Sequence, residues 1–362
     1  MEKRVKDIVF FGSTYEYNLF RQGISTPVGY SLRKVENSPL DEECDLLVTG
    51  HMLPEFDSKV ITSSRITGKG PENILVIAHG SYPMEGAPYP EDPHSGSYHF
   101  QWISDTAMAK WLVQMVEDQQ NAHYSYSELH KRIVLLVEDE ISFASYIIPL
   151  IMEELETRTL SLLPEEQKNT GDKTYSERPI LLVAANYEQA VKYLEKYSDR
   201  MVGVISSLGF PKDQKNNLDS GFDLIRKVKS LPFGIPVVIL SSQENKRKPV
   251  MEIGGAFLHK HSPDLLKSLR KEMLDYFGFG DFIFRMPADS RSEVARARNL
   301  VELRNCLEWI PIESFTFHAE KRHFSNWLGV HGYLKEAEII RPISPSEGEK
   351  ARKELISLLE KL

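Results

Sequence analysis

The segment VGVISSLGFPKD (Val202–Asp213) decides how this chain is organised. An apolar run stops at a serine pair, Ser206 and Ser207, and passes into a loop that contains a proline. The pattern predicts a buried β-strand whose carboxyl end opens into a loop, which is where an open α/β sheet keeps its chemistry. A catalytic strand end would carry a carboxylate or a nucleophile with a partner, so the two serines need an explanation.

Apolar runs of the same kind lie on both sides of this segment and alternate with amphipathic ones. The predicted strands are RIVLLVEDE, PILLVAA, VGVIS, IPVVILSS and AFLHK. The predicted helices are SFASYIIPLIMEELETRTLSLL, YEQAVKYLEKY, SGFDLIRKVKSL, one near ENKRKPVMEIG, and PDLLKSLRKEMLDYF. Because strand and helix alternate five times, we expect a doubly wound parallel sheet with right-handed crossovers.

The first part of the chain shows a weaker version of the same order. Its predicted elements are the strands DIVFFGS, VGYSL, DLLVTG, NILVIAHGS and SYHFQWISD and the helix DTAMAKWLVQMVEDQQ. The tail contains one strand-like run, GDFIFRM, and otherwise reads as helices. We therefore predict an α/β protein with two doubly wound, flavodoxin-like parallel sheets and a small, mostly helical C-terminal region. The predicted domains are 1–125, 126–277 with a loop insertion near 163–178, and 278–362.

Composition restricts the classes of function. The chain has 362 residues, a net charge of -8 and two cysteines. The acidic balance argues against a nucleic-acid partner, because phosphate contacts need clustered Lys and Arg. The cysteine spacing offers neither a disulfide framework nor a zinc motif. Without a signal peptide or a run long enough to span a membrane, the expected location is the cytoplasm.

Polar residues follow four of the predicted strands in the second series. These are Glu138 and Asp139, Ser207, Ser241, and Lys260. The carboxyl ends of parallel strands meet at one edge, so these side chains should lie together. Acids that hold a hard cation, with a hydroxyl and a lysine for phosphoryl oxygens, suit Mg²⁺-assisted phosphoryl transfer to a carboxylate. Over residues 132–277 the chain resembles the receiver domain of two-component response regulators.

One element departs from that resemblance. A receiver has an aspartate at the end of its third strand to accept the phosphoryl group, and here that position is Ser207. A serine hydroxyl adds no negative charge to a metal site and is a poor nucleophile without a base. We interpret Ser207 as a vacated acceptor position. Glu138 and Asp139 remain as candidate ligands for weakly bound Mg²⁺, and no other cofactor is expected.

The first series lacks every polar element of such a site. Gly50 stands where the aspartate would be, and His79 and Gly80 occupy the hydroxyl position. Trp102 lies near the lysine position, and the first strand ends in FFGST without an acidic pair. Phosphorylation of this half is therefore not expected.

A wider resemblance involves the helix DTAMAKWLVQMVEDQQ with its surroundings and the tail that contains HFSNWL. Both are similar to the N-terminal regulatory region of bacterial signalling proteins of the pyruvate, phosphate dikinase or phosphoenolpyruvate synthase type. The kinase-like portion with its glycine-rich nucleotide loop does not occur in this sequence. The chain is then either a shortened relative or a fragment.

Two other constellations are weaker. His318 and His323 are five residues apart, which on one helix places them on different faces and disfavours a zinc site. The run VIAHG together with Cys44 invites a Cys/His protease interpretation, but Cys44 precedes its own strand.

Two functions of different classes remain. The favoured one is a non-catalytic signalling module of response-regulator type, acting through protein contacts with a kinase, a regulator or a fused phosphotransferase domain. A homodimer would form through the face from Ser241 to Lys260, where ENKRK adds a basic edge. The alternative is an enzyme or regulatory fragment of an ATP- or phosphoenolpyruvate-dependent phosphotransferase, in which Ser207 or a histidine takes the phosphoryl group.

Overall fold

The structure is a computed structural model. It describes most of the chain, with gaps between the described ranges. The described residues are 5–24, 29–36, 44–50, 73–78, 88–90, 96–103, 106–162, 178–287, 289–343 and 345–361. The predicted insertion near 163–178 lies outside these ranges, apart from Arg178.

The first sheet has five parallel strands in the order β2-β1-β3-β4-β5. The strands are β1 Asp7–Phe11, β2 Ser31–Val35, β3 Leu46–Thr49, β4 Asn73–Ala78 and β5 Gly96–Gln101. The helices are α1 Thr14–Ile24, α2 Met108–Gln120 and α3 Ala122–Ser127. Strands β3 and β4 are wholly buried, as their apolar runs predict, whereas the edge strand β2 is half-exposed and carries charges.

The second sheet repeats this topology, with its strands ordered β10-β9-β8-β6-β7. The strands are β6 Ile133–Val137, β7 Ile180–Ala184, β8 Met201–Ser207, β9 Val237–Ser241 and β10 Ala256–His259. The helices are α4 Ile141–Leu162, α5 Tyr187–Tyr197, α6 Ser220–Lys229, α7 Arg247–Glu252 and α8 Leu265–Tyr276. Counted from its own first strand, each sheet has the order 2-1-3-4-5, which is flavodoxin-like. The predicted fold class is confirmed for both halves.

The C-terminal region begins with a β-hairpin, and helices follow. Antiparallel strands β11 Phe282–Met286 and β12 Asp289–Ala297 form the hairpin. The helices are α9 Leu300–Trp309, α10 Ile312–Glu320, α11 His323–Val330, α12 Leu334–Ile340 and α13 Glu349–Leu359. Strand β12 was not expected, because its sequence DSRSEVARA is polar apart from a short alternation in which Ala295 and Ala297 face the core.

The two sheets share one hydrophobic core. Its buried side chains come from β1, β3, β4 and β5, from helices α2 and α4, and from β6 to β9. Helix α2 contacts α1 of the first half and also β7 and α4 of the second. The predicted boundary at residues 125 and 126 therefore falls inside a continuous apolar cluster, and the boundaries stay a prediction.

A buried ion pair reinforces this junction. Arg178, just before β7, donates from both terminal nitrogens to Asp118 of α2, at 2.8 and 3.0 Å. The Asp118 carboxylate also accepts from the Leu181 backbone N–H at 2.9 Å. Burying a charge is costly unless it is paired and hydrogen-bonded, and this geometry satisfies both conditions.

None of the helices within the described ranges has both the length and the apolar character that crossing a membrane requires.

Candidate functional site

The polar residues predicted at the strand ends of the second sheet lie at a common edge. Strand β6 pairs with β8 so that Val137 faces Ser206, and β9 pairs with β10 so that Ser241 faces His259. The residues that follow these pairs are Glu138, Ser207 and Lys260, and their side chains are in contact. Parallel register thus assembles three of the five predicted site residues.

Glu138 is the centre of this contact. Its side chain is fully buried. The Ser207 hydroxyl donates a short hydrogen bond to Glu138 Oε2, and the Lys260 ammonium donates to the same oxygen at 2.9 Å. The other oxygen, Oε1, accepts from the Glu140 backbone N–H at 3.0 Å. Both carboxylate oxygens are therefore occupied by donors from the chain itself.

Lys260 is held in place from several sides. Its backbone N–H donates to the Ser241 carbonyl at 3.1 Å, and its ammonium lies 4.1 Å from the centroid of the Phe143 ring. Glu140 Oε2 lies 3.9 Å from the same ammonium. These contacts leave 14% of the side chain exposed. Because the Lys260 ammonium is held next to Glu138, its positive charge stabilises the carboxylate, whose burial without a partner would be costly.

Asp139 occupies a less satisfied position beside Glu138. Its side chain is half-buried. Burial raises the pKa of Asp139 to about 6, and the neighbouring charge of Glu138 adds to this effect. Two carboxylates at one strand end repel each other, and Lys260 bonds to only one of them.

The other two serines of the strand ends bond elsewhere. The Ser206 hydroxyl donates to the carbonyl of Ser207 at 2.7 Å. The Ser241 hydroxyl accepts from the Gln243 backbone N–H at 3.1 Å and so supports the turn after β9. Neither hydroxyl is bonded to Glu138 in the structure.

One residue of the first half also reaches this edge. Tyr89 is buried, and its hydroxyl has no hydrogen-bond partner among the described residues. Burial raises the pKa of Tyr89 well above its usual range, and the charges of Glu138 and Asp139 raise it further. Next to it, the Pro90 carbonyl accepts from Gln189 Nε2 of helix α5 at 3.2 Å. The sequence gives no signal for this contact, since Tyr89 lies in a proline-rich segment far from β6.

The observed arrangement does not fit a bound Mg²⁺. Both oxygens of Glu138 already accept hydrogen bonds from the chain, and a hard cation needs several oxygen ligands in near-octahedral geometry. Across the described ranges, no group of three or more His, Cys, Asp or Glu side chains is placed to hold a metal ion. Weak Mg²⁺ binding by Glu138 and Asp139 remains a prediction.

The corresponding strand end of the first sheet is closed in another way. Thr49 pairs with Phe11 as Ser206 pairs with Val137, so Gly50 stands at the position of Ser207. A Cβ atom on Gly50 would lie 2.6 Å from Cδ of Glu16, whose buried carboxylate accepts from the Ser13 N–H and hydroxyl at 2.8 and 2.6 Å. Glu16, which sequence reasoning missed, thus fills the space beside Gly50.

The lysine position of the first sheet is also identified by register. The Trp102 backbone N–H donates to the Ala78 carbonyl at 2.9 Å, as Lys260 donates to Ser241. Trp102 therefore stands where Lys260 stands in the second sheet. His79 and Gly80 lie outside the described residues.

The two histidines of the tail differ from expectation. His318 lies in the last turn of α10 and His323 begins α11, so they do not share a helix, and their Nδ1 atoms lie 2.9 Å apart. The expectation that they point to different faces of one helix is wrong, because the chain turns between them. Burial lowers the pKa of His323 to about 4 and that of His318 well below its usual range. The protease interpretation gains nothing, since burial raises the pKa of Cys44 to about 12.

Comparisons with known proteins add little to the geometry described above. No protein family and no curated protein matches the chain. Among solved structures, the C-terminus of Escherichia coli RcsC with its linker region and phosphoreceiver domain is 14% identical, with a TM-score of 0.25. The match covers 75% of this chain and 97% of that one.

Two further structures show similarity of the same order. A putative two-component system response regulator/GGDEF domain protein is 12% identical with a TM-score of 0.28, covering 74% of this chain and 98% of that one. The C-terminal domain of glucosamine-fructose-6-phosphate aminotransferase from Francisella tularensis is 11% identical with a TM-score of 0.23, covering 75% and 83%. Scores this low carry no functional argument, and the fold assignment rests on strand order. The predicted resemblance to dikinase-type regulatory regions gains no support from these comparisons.

Proposed function

We propose that this protein is a non-catalytic signalling module of response-regulator type, whose receiver-like halves do not accept phosphoryl groups and which acts through protein contacts. In this proposal Ser207 and Gly50 stand where acceptor aspartates would be. Glu138, Asp139, Ser241 and Lys260 are what remains of a receiver site.

One observation carries the proposal. Ser207 and Lys260 both bond to Glu138 Oε2, so the site is closed by its own side chains. In a working receiver site the acids would hold a cation, and the lysine would bind phosphoryl oxygens. Here the lysine is already engaged with the acid. The module would then be fixed in one state or switched by a partner instead of by phosphorylation.

The rival function, phosphoryl transfer to Ser207, has one observation in its favour. The Ser207 hydroxyl donates to a carboxylate, which is the arrangement that general-base activation of a serine requires. Ser207 is only 2% exposed, however, and Glu138 is fully buried. A phosphoryl donor could reach this hydroxyl only if the strand end opened.

The partner face is proposed to include α7 and the edge strand β10. Its expected basic character is largely neutralised, because Lys246 pairs with Asp219 at 2.8 Å and Arg247 with Glu244 at 2.5 Å. Lys248 is 87% exposed and lies 3.9 Å from Glu252. A protein partner, or a second copy of the chain, would therefore meet a mixed-charge surface rather than a basic one.

Intact-mass measurement after incubation with acetyl phosphate and Mg²⁺ tests the proposal. We expect no mass increase for the wild-type chain. The matched variants are Ser207→Ala and Ser206→Ala, because the neighbouring hydroxyl is equally buried but bonds to a carbonyl. A gain of one phosphoryl group in the wild type and in Ser206→Ala that is absent from Ser207→Ala would establish the rival function.

A further inference from the structure

A wide groove separates the open edge of the second sheet from the C-terminal region. Its volume is about 890 Å³, within the range of small-molecule sites. The walls come from the turn before β9, from strand β10 and helix α8, and from α10 and α11 of the C-terminal region. Glu138, Ser207 and Lys260 do not line it, so the groove is separate from the strand-end site.

Two lysines of this groove are not paired with acids. Lys229, at the end of α6, donates only to the Ile235 carbonyl at 3.4 Å, and its stem packs beside Gly254. The stem of Lys321 lies against Gly234, where a Cβ atom would be 3.0 Å from its Cδ. Neither ammonium forms an ion pair within the described ranges. Partial burial and the nearby charge of Lys321 lower the pKa of Lys229.

A lysine close to Lys229 in the sequence does have an acidic partner. Lys227, two residues before Lys229, pairs with Glu195 at 2.9 Å. Two like charges held near each other at a concave surface attract an anion, because each is stabilised by the negative charge between them.

The remaining walls combine aromatic side chains with charged ones, some of which pair with each other, as Lys271 does with Asp275. Phe257, Tyr276 and Phe317 are among the residues that line the groove, and Arg247 and Arg285 lie over the rings of Phe257 and Tyr276. Asn326 lines it as well, and its buried Oδ1 has no hydrogen-bond partner in the described part of the chain.

We infer that the groove binds a small organic anion, with a planar apolar body against the aromatic rings and a phosphate, sulfonate or carboxylate group at Lys229 and Lys321. This site goes beyond the proposed function and does not depend on it. Because the groove runs along β10 and also contacts the C-terminal region, the ligand would bridge the two.

Fluorescence titration with anilinonaphthalene sulfonate, an aromatic anion, tests the inference. The neutral analogue N-phenylnaphthylamine serves as the matched probe. We expect one saturable sulfonate site per chain whose Kd weakens with added salt. In Lys229→Gln/Lys321→Gln the Kd should rise at least about tenfold, since both charge-assisted hydrogen bonds to the sulfonate are lost. Binding of the neutral probe should be nearly unchanged.

Two control variants keep the test decisive. Lys350→Gln removes an exposed lysine outside the groove and should leave both probes unaffected. Lys229→Arg/Lys321→Arg retains the charges and should retain sulfonate binding, which shows that charge rather than damage to the fold is responsible. The inference is overturned if the glutamine variant binds the sulfonate as the wild type does, if the neutral probe binds equally tightly, or if no saturable site exists.

Discussion

The substitution Asp118→Asn removes the negative charge of the buried ion pair that joins the two sheets. The side chains of Asp118 and Arg178 are 4% and 1% exposed, so the guanidinium would stay buried after losing the carboxylate to which both of its terminal nitrogens donate. Breaking one partner of a buried pair costs about 3–5 kcal/mol, and we expect a loss of that size in the free energy of unfolding. The asparagine is nearly isosteric, so lost packing contributes little.

Urea denaturation followed by circular dichroism measures this loss. The matched control is Glu195→Gln, which breaks an ion pair whose lysine and glutamate are 31% and 62% exposed. Exposed pairs contribute about 0–1 kcal/mol, and the control should stay within that range. If Asp118→Asn costs no more than Glu195→Gln, the ion pair does not hold the sheets together and our account of the junction is incorrect.

Three further predictions concern other buried groups. Gly50→Ala should lower the free energy of unfolding by about 1–3 kcal/mol, because its methyl group meets the Glu16 carboxylate. In a double-mutant cycle followed by urea midpoints, adding Glu16→Ala should recover part of this loss. The pKa of Asp139 is raised from 3.8 to about 6, so between these pH values the folded chain binds a proton that the unfolded chain has lost. The Asp139 carboxylate therefore lowers the free energy of unfolding as the pH rises through this window. Asp139→Asn should raise that free energy by about 1 kcal/mol at pH 7, after a discount for solvent screening, and by nothing below pH 4. The effect of His323 on stability has the opposite dependence on pH. Its pKa is lowered from 6.5 to about 4, so between these pH values only the unfolded chain binds the proton, and the free energy of unfolding falls as the pH decreases through that window. His323→Gln should therefore show a shallower fall in urea midpoints measured from pH 7 to pH 4.

Most of the fold could be predicted because its signals are local. Apolar runs closed by Gly, Ser or Pro mark the buried strands of both sheets, and the amphipathic segments between them mark the crossovers. The exceptions follow the same logic. Strand β12 has few apolar residues, and the edge strand β2, Ser31–Val35, shares only Ser31 and Leu32 with the predicted VGYSL, because half-exposed strands need no continuous apolar run.

The candidate site was predictable only in part. The strand-end positions of Glu138, Ser207 and Lys260 follow from register, which the sequence order already implies. Ser13 and Glu16 have the S-x-x-E spacing of a helix capping box, and their mutual hydrogen bonds form it. The approach of Glu16 to Gly50 and that of Tyr89 to Glu138 depend instead on contacts between distant parts of the chain. Long-range contacts of this kind are decided by packing between layers, which one sequence does not display.

The central claim is that Ser207 stands where an acceptor carboxylate would be and that the chain's own side chains close the site. Titration of Mg²⁺ into the wild type and Ser207→Asp, followed by calorimetry or NMR, tests it most directly. The account predicts weak binding to the wild type and at least about tenfold tighter binding to Ser207→Asp, because the new carboxylate supplies a hard oxygen ligand and competes for Lys260. Wild-type affinity equal to that of the variant would contradict the claim and the alignment of strand β8 on which it rests.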